Sequence, residues 1–295
     1  SSRGRRARSH RGVLEEVGTV NRPHFAPALA LLAAVVLCAP AAAQKDTAPP
    51  TQIEVAPVER LSRSAPFPVG WEDDVYCAGW IGSDDEPVTG RIVAAEYEDS
   101  RTMYAAGDIV YSDVGAAQGL VAGQEFQVIR PAHTVYKLGS EIDRIGRFYE
   151  TPGRVKVVCV QERTAILEFT ESCSPSEIGD LLIPFEPIPI PLVRASAPYT
   201  QCDPPSGKTT GQIIETKDRA VPIGTDSVVY LDLGEADGLY PGDFLTVWRP
   251  RASADLGLRT LLGEVSVLFT KEHTAVVKVT SMIDTMGVGD YVELK

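Results

Sequence analysis

The chain has 295 residues, of which 28 are Lys or Arg and 40 are Asp or Glu, for a formal net charge of −12 at pH 7. So acidic a surface disfavours nucleic acid and anionic lipid headgroups as partners, because both are bound through basic side chains that neutralise phosphate. Apolar residues make up 44 % of the sequence, too many for a disordered polymer and enough for two modest cores.

Residues 1–19 contain no Met and read as an upstream extension ahead of a secretory signal at 20–43. In that signal Arg22 and His24 form a short polar start, Ala28 to Leu37 an unbroken apolar run, and Ala41, Ala42 and Ala43 a small-residue cleavage site. The apolar run falls short of the roughly 20 residues that a helix needs to span a bilayer. The sequence therefore predicts cleavage before Gln44, no integral membrane span afterwards, and a periplasmic or secreted product. A lipoprotein signal at Cys38 is the minor alternative, with Leu37 where a small residue is wanted. Residues 44–70 are Pro-rich without sustained periodicity and suit an extended tether.

Two matching units follow. YSDVGAAQGLVAGQEFQVIRP at 111–131 recurs without a gap as YLDLGEADGLYPGDFLTVWRP at 230–250, the signature of an internal repeat. The sequence predicts a first β-module over 71–186, a Pro-rich linker over 187–205 and a second β-module over 206–295. The linker alternates Pro with aliphatic residues; Pro cannot donate to a sheet ladder, so an extended polyproline course is expected there. Ile188, Ile190 and Leu192 are placed to pack along a neighbouring module.

Within each module the apolar period is two. GRVKVVCVQ (153–161) places Val155, Val157 and Cys159 on one face, and GEVSVLFTK (263–271) does the same with Val265, Val267 and Phe269. Each leads through a short turn into a second strand, TAILEFT (164–170) or TAVVKVT (274–280). RIVAAEY, DIVYSD and EFQVIR precede the first of these hairpins and LLIPF follows it, so about six short strands make one module. The prediction is all-β: two tandem small barrels or closed sandwiches, closure removing the exposed edges that invite aggregation. Gly115, Gly119 and Gly123, matched by Gly234, Gly238 and Gly242, are read as structural turn positions of positive φ or close chain approach. Leu120 and Leu239 are read as apolar plugs at a barrel end, and Asp180, Asp243 and Asp290 as acceptors fixing turns.

After cleavage four cysteines remain: Cys77, Cys159, Cys173 and Cys202. An even number in an exported chain favours disulfides, and four cysteines allow three pairings. Cys77 and Cys202 stand at matching places ahead of the two modules. Cys159 and Cys173 align with Phe269 and Ile283, so buried free thiols at those two positions are the alternative. No CxxC spacing points to a redox or zinc site.

The strings GDIVYSDVGAAQGLVAGQEFQVIRP, GRVKVVCVQERTAILEFTESC and EIGDLLIPF resemble bacterial envelope proteins labelled LysM-associated or peptidoglycan-binding. They are also similar to the C-terminal β-domain of flagellar assembly protein T. The resemblance implies an envelope role and covers both modules.

Chemistry is sparse. Trp71, Tyr76 and Trp80 form the densest aromatic group and are the candidate binding residues, able to stack on a sugar ring or to cover the first barrel. Asp84, Asp85 and Glu86 with His133 are the set a hydrolase would use, although adjacent acids at a turn commonly form a solvated run. His133 and His273 fall at positions that do not correspond. SGKTTG (206–211) superficially resembles a phosphate loop, but Cys202 stands where its first glycine is required. No catalytic residue, metal or cofactor is assigned. The expected function is a non-catalytic envelope scaffold or binding unit whose partner is an envelope protein or cell-wall component, held on the inserted loop 132–152. Peptidoglycan binding is the first alternative and hydrolysis the second.

Overall fold

The computed structural model describes residues 65–194, 200, 203–251 and 258–295. The upstream extension, the signal segment, most of the tether and Cys202 lie outside the described residues. In chain order the strands are β1 (Phe67–Pro68), β2 (Trp80–Gly82), β3 (Gly90–Ala95), β4 (Ile109–Ser112), β5 (Glu125–Tyr136), β6 (Arg144–Val160), β7 (Ala165–Ser172) and β8 (Leu181–Pro184). They continue with β9 (Leu192–Val193), β10 (Thr210–Thr216), β11 (Val228–Leu231), β12 (Phe244–Pro250), β13 (Arg259–Thr270), β14 (Ala275–Met282) and β15 (Tyr291–Leu294). A five-residue helix, α1 (Glu72–Tyr76), separates β1 from β2. Among the described residues no helix is long and apolar enough to cross a membrane.

The chain is all-β, and the two modules are closed barrels of the same topology. Barrel two runs β10-β11-β14-β13-β12-β15, and barrel one runs β3-β4-β7-β6-β5-β8, closed by pairing of β6 with both β5 and β7. Each has its own core. Ile92, Val110, Phe126, Val155, Leu167 and Leu182 fill barrel one; Ile213, Val229, Leu245, Val265, Val277 and Val292 fill barrel two. Side chains of this size each contribute about 1.5–3 kcal/mol on full burial.

The letters that recur are the ones that hold each barrel shut. Gly119 and Gly238 end matching single-turn 3-10 segments with φ of 89° and 84°, backbone that only glycine adopts readily. Leu120 and Leu239, which follow them, are buried in their barrel cores. Gly115 and Gly234 serve differently: a Cβ there would collide with the carbonyl oxygen of Gln161 or Lys271. Gly123 and Gly242 take φ of 88° and 92° in the next turn, and Asp243 accepts the Tyr240 N–H at 2.9 Å. The repeated Arg-Pro and Gly-Asp steps meet in space. Arg130 donates through Nε and Nη2 to the two oxygens of Asp180 at 2.7 and 2.8 Å, and Arg249 does the same to Asp290 at 2.6 and 2.8 Å. Such forked charge-assisted pairs fix geometry as well as contributing energy.

Three expectations are corrected. Cys159 does not share the inner face with Val155 and Val157. The β6–β7 register shifts between Val157 and Cys159, and a bulge exchanges the faces beyond it, so Cys159 is a free, exposed thiol. Cys173 is not a buried thiol either; it forms a disulfide with Cys77 across 96 residues, Cα to Cα 5.3 Å. Its repeat partner Ile283 is exposed rather than core. The segment 132–152 is loop only over 137–143: β5 and β6 run on past the barrel as a two-stranded ribbon, and β2 adds to the β6 side of it.

Candidate functional site

The barrels fall within one compact unit, and what joins them is the segment from Val69 to Gly82, a strap held by both. On the barrel-one side, β2 pairs with β6 through Trp80↔Tyr149 and Ile81↔Phe148, and the disulfide fixes Cys77 to the end of β7. On the other side barrel two supplies three side-chain donors. Tyr230 donates its hydroxyl to the Ala78 carbonyl, Thr274 donates to the Ile81 carbonyl at 2.6 Å, and Lys278 donates to Asp74 at 2.7 Å. Val69, Val75, Ala78, Trp80 and Ile81 are buried in a third core with Ile129 and Phe148 of barrel one and Ile214, Val228, Leu268 and Val276 of barrel two.

Local sequence explains the strap's shape. Asp74 accepts the Trp71 N–H at 2.8 Å and so closes the start of α1, with Glu72 and Asp73 also acidic in that first turn, the sign a helix N-terminus favours. Gly79 at φ 69° then redirects the chain into β2, and a Cβ there would collide with the Tyr149 carbonyl oxygen. The Pro-rich linker lies against the same core. Ile188 and Ile190 pack on it, Val193 is buried beside them, and Leu192 points to solvent. The Tyr76 hydroxyl donates to the Ile188 carbonyl at 3.3 Å and accepts the Ile188 N–H at 3.1 Å.

Two of the cavities beside the strap are the roomier ones. One, of about 390 Å³, is walled by Tyr76, Trp80, Phe185, Ile188, Phe269 and Lys271, with Glu86 and Glu186 at its edge. Trp80 stacks on Tyr149 at 5.7 Å between centroids, and the Lys271 ammonium stands 4.5 Å over its ring centroid. The Trp80 indole N–H and the Thr151 hydroxyl are buried there without a hydrogen-bond partner among the described residues. The other cavity, of about 590 Å³, is bounded by the disulfide, His133, Phe148, Glu150 and the Glu215–Arg219 segment of barrel two. His133 Nε2 lies 3.0 Å from both oxygens of Glu215, and its ring stacks on Phe148, so this pair bridges the barrels.

The aromatic group of the sequence is thus divided. Tyr76 and Trp80 share the smaller cavity, whereas Trp71 is exposed and edges a separate hollow beside Phe67 and Pro68. The acidic run is divided as well. Asp84 is held by Arg144 and Arg147, whose hydrogen bonds lower its pKa to about 2, the opposite of what a proton donor near neutrality needs. Glu86 alone of the run reaches the 390 Å³ cavity. His273 is exposed beside Glu272. In SGKTTG, the Ser206 hydroxyl and Gly207 N–H donate to Glu293 at 2.9 and 3.1 Å, so those donors are spent on a carboxylate of the chain itself. Among the described residues no group of three or more His, Cys, Asp or Glu side chains could hold a metal ion.

Sequence reasoning missed Lys271, Phe185 and the His133–Glu215 bridge, whose members lie far apart in the chain and carry no spacing signal. The two Arg–Asp pairs did leave one, since both partners recur in both modules. The arrangement as a whole, aromatic walls and buried polar atoms between two rigid barrels, is suited to recognition by stacking and hydrogen bonding. No protein-family model matches the chain, and no curated protein sequence matches it.

Proposed function

We propose that this protein is an exported, non-catalytic component of the cell envelope that holds another envelope component through its paired barrels. The observation that carries the reading is the fate of the repeated residues. The glycine turns, Leu120 and Leu239, and the Arg130–Asp180 and Arg249–Asp290 pairs all hold their own barrels together. What duplication has preserved is therefore architecture rather than a set of acids, bases or nucleophiles, and binding falls to the surfaces that these rigid scaffolds present. The signal at 20–43 and the resemblance to envelope proteins supply the location, periplasmic or secreted. Cross-linking in intact producing cells, read by mass spectrometry, tests it. Cross-links to envelope proteins from a chain cleaved before Gln44 are expected; a full-length chain linked only to cytoplasmic neighbours would sink the reading.

A second reading, peptidoglycan recognition, is favoured by one observation: Tyr76 and Trp80 wall the same cavity with an indole donor that has no partner among the described residues. Co-sedimentation with purified sacculi separates the two. Binding that is lost in Tyr76→Ala supports the wall as ligand, and a protein that stays in the supernatant removes it.

A further inference from the structure

Barrel two's outer face on β10, β11, β14 and β13 is where the strap docks, and barrel one carries the same face uncovered by any of the described residues. The positions correspond strand by strand. Ile214 and Leu268 of barrel two are 6 % and 0 % exposed, whereas their counterparts Val93 and Val158 are 44 % and 51 % exposed. Val228 and Val276, buried under the strap, correspond to Ile109 and Ile166, which are only half-buried.

The polar anchors are duplicated too. Tyr230, which donates to the strap's Ala78 carbonyl, is matched by Tyr111. Thr274, which donates to the Ile81 carbonyl, is matched by Thr164. The third anchor is matched with its sign reversed: where Lys278 meets Asp74, barrel one has the exposed Glu168. Lys156 lies across from Glu168 in register, in the place of Ser266, and remains exposed itself.

We propose that the β3-β4-β7-β6 face of barrel one is a docking surface for an apolar segment of a partner polypeptide. That segment lies as the strap lies on barrel two and carries a basic residue opposite Glu168 where the strap carries Asp74. A second copy of this chain is a poor occupant. Its strap is already enclosed between its own barrels, and the side of its barrel two that corresponds to the docked side of barrel one carries Trp248 stacked on Tyr291 and the Arg259–Glu293 ion pair. The inference deepens the envelope-binding reading by naming the partner's chemistry, and it rests on that reading only for the partner's location, which the in-cell cross-linking tests separately.

The test is a reciprocal charge exchange with the full chain. The probe is a synthetic peptide of residues 69–82 with Cys77→Ser, made with and without Asp74→Lys. The lysine peptide is expected to bind the protein and to lose about tenfold in affinity against Glu168→Lys, a change of the size expected for breaking one charge pair. The peptide retaining Asp74 should show the reverse preference. Glu168 is exposed, so the variant folds; hydrogen exchange should slow in β4 and β7 when the probe binds. Indifference of both peptides to residue 168, or protection elsewhere, overturns the proposal. A photoreactive side chain at position 158 that links instead to residues 44–64 of the same chain, or to a second copy, overturns it as well.

Discussion

At Gly119 and Gly238 nothing lies within 4 Å of where a Cβ would stand, and φ is 89° and 84°, so a side chain there costs backbone strain rather than collision. Val at either position is expected to destabilise the protein by about 1–3 kcal/mol, measured by denaturant unfolding. Gly115→Ala should cost more than a comparable surface change for the other reason, contact with the Gln161 carbonyl. These glycines stood out in the sequence because they recur, and recurrence marks backbone demands well. It marks side-chain partnership only when both partners recur, as with Arg130 and Asp180. Asp84 shows the opposite case: nothing in the run Asp84, Asp85, Glu86 marks the first as the one enclosed by Arg144 and Arg147, some sixty residues downstream. Its carboxyl should titrate at about 2 in a carbon-detected NMR series, and Arg147→Ala with Arg144→Ala should return it towards the ordinary aspartate value of about 3.9.

The strap is the element on which most long-range contacts converge. Lys278 is buried against the half-buried Asp74; burial alone would lower its pKa, but hydrogen bonding and attraction to Asp74 and then Asp226 outweigh this and raise it. A lysine whose folded pKa is raised contributes stability that is present below its unfolded value, about 10.4, and is lost as pH rises through the folded value. Unfolding followed from pH 9 to 11.5 should therefore show a loss of stability above about pH 10.4 that Lys278→Met lacks. At neutral pH that substitution should cost about 2–3 kcal/mol, because it strands a largely buried carboxylate. The disulfide anchors the middle of the strap to a residue 96 positions away, and Cys77→Ser should cost about 3–5 kcal/mol by release of the unfolded chain, read as a lower denaturation midpoint. Strand placement was legible from alternation, but the bulges at Val157/Cys159 and Val267/Phe269 were not, because the unbroken apolar runs Val157 to Val160 and Val267 to Phe269 offer a core residue in either phase. The pairing of Cys77 with Cys173 was likewise invisible, since it depends on how the strap crosses the barrel.

Two copies of one fold, each with a complete core, would ordinarily melt as two bodies. Here a third core made of the strap and both barrels couples them, so calorimetry should show a single cooperative transition. Trp80→Ala, which empties the middle of that shared core, should divide it into two, since truncating a buried Trp costs about 3–5 kcal/mol. All-β class, duplication and barrel closure could be read from sequence because they are local and periodic. The packing of one barrel on the other could not, because it depends on a dozen residues ahead of the repeats whose partners lie about two hundred positions away. That separation matters while the chain is being made. The ribosome delivers Val75, Trp80 and Ile81 early, and two of the strands they lie against, β13 and β14, near the end. Until the final residues appear, this greasy stretch has only half its resting place, and any product cut short before Thr274 keeps it bare, open to proteases and holding chaperones.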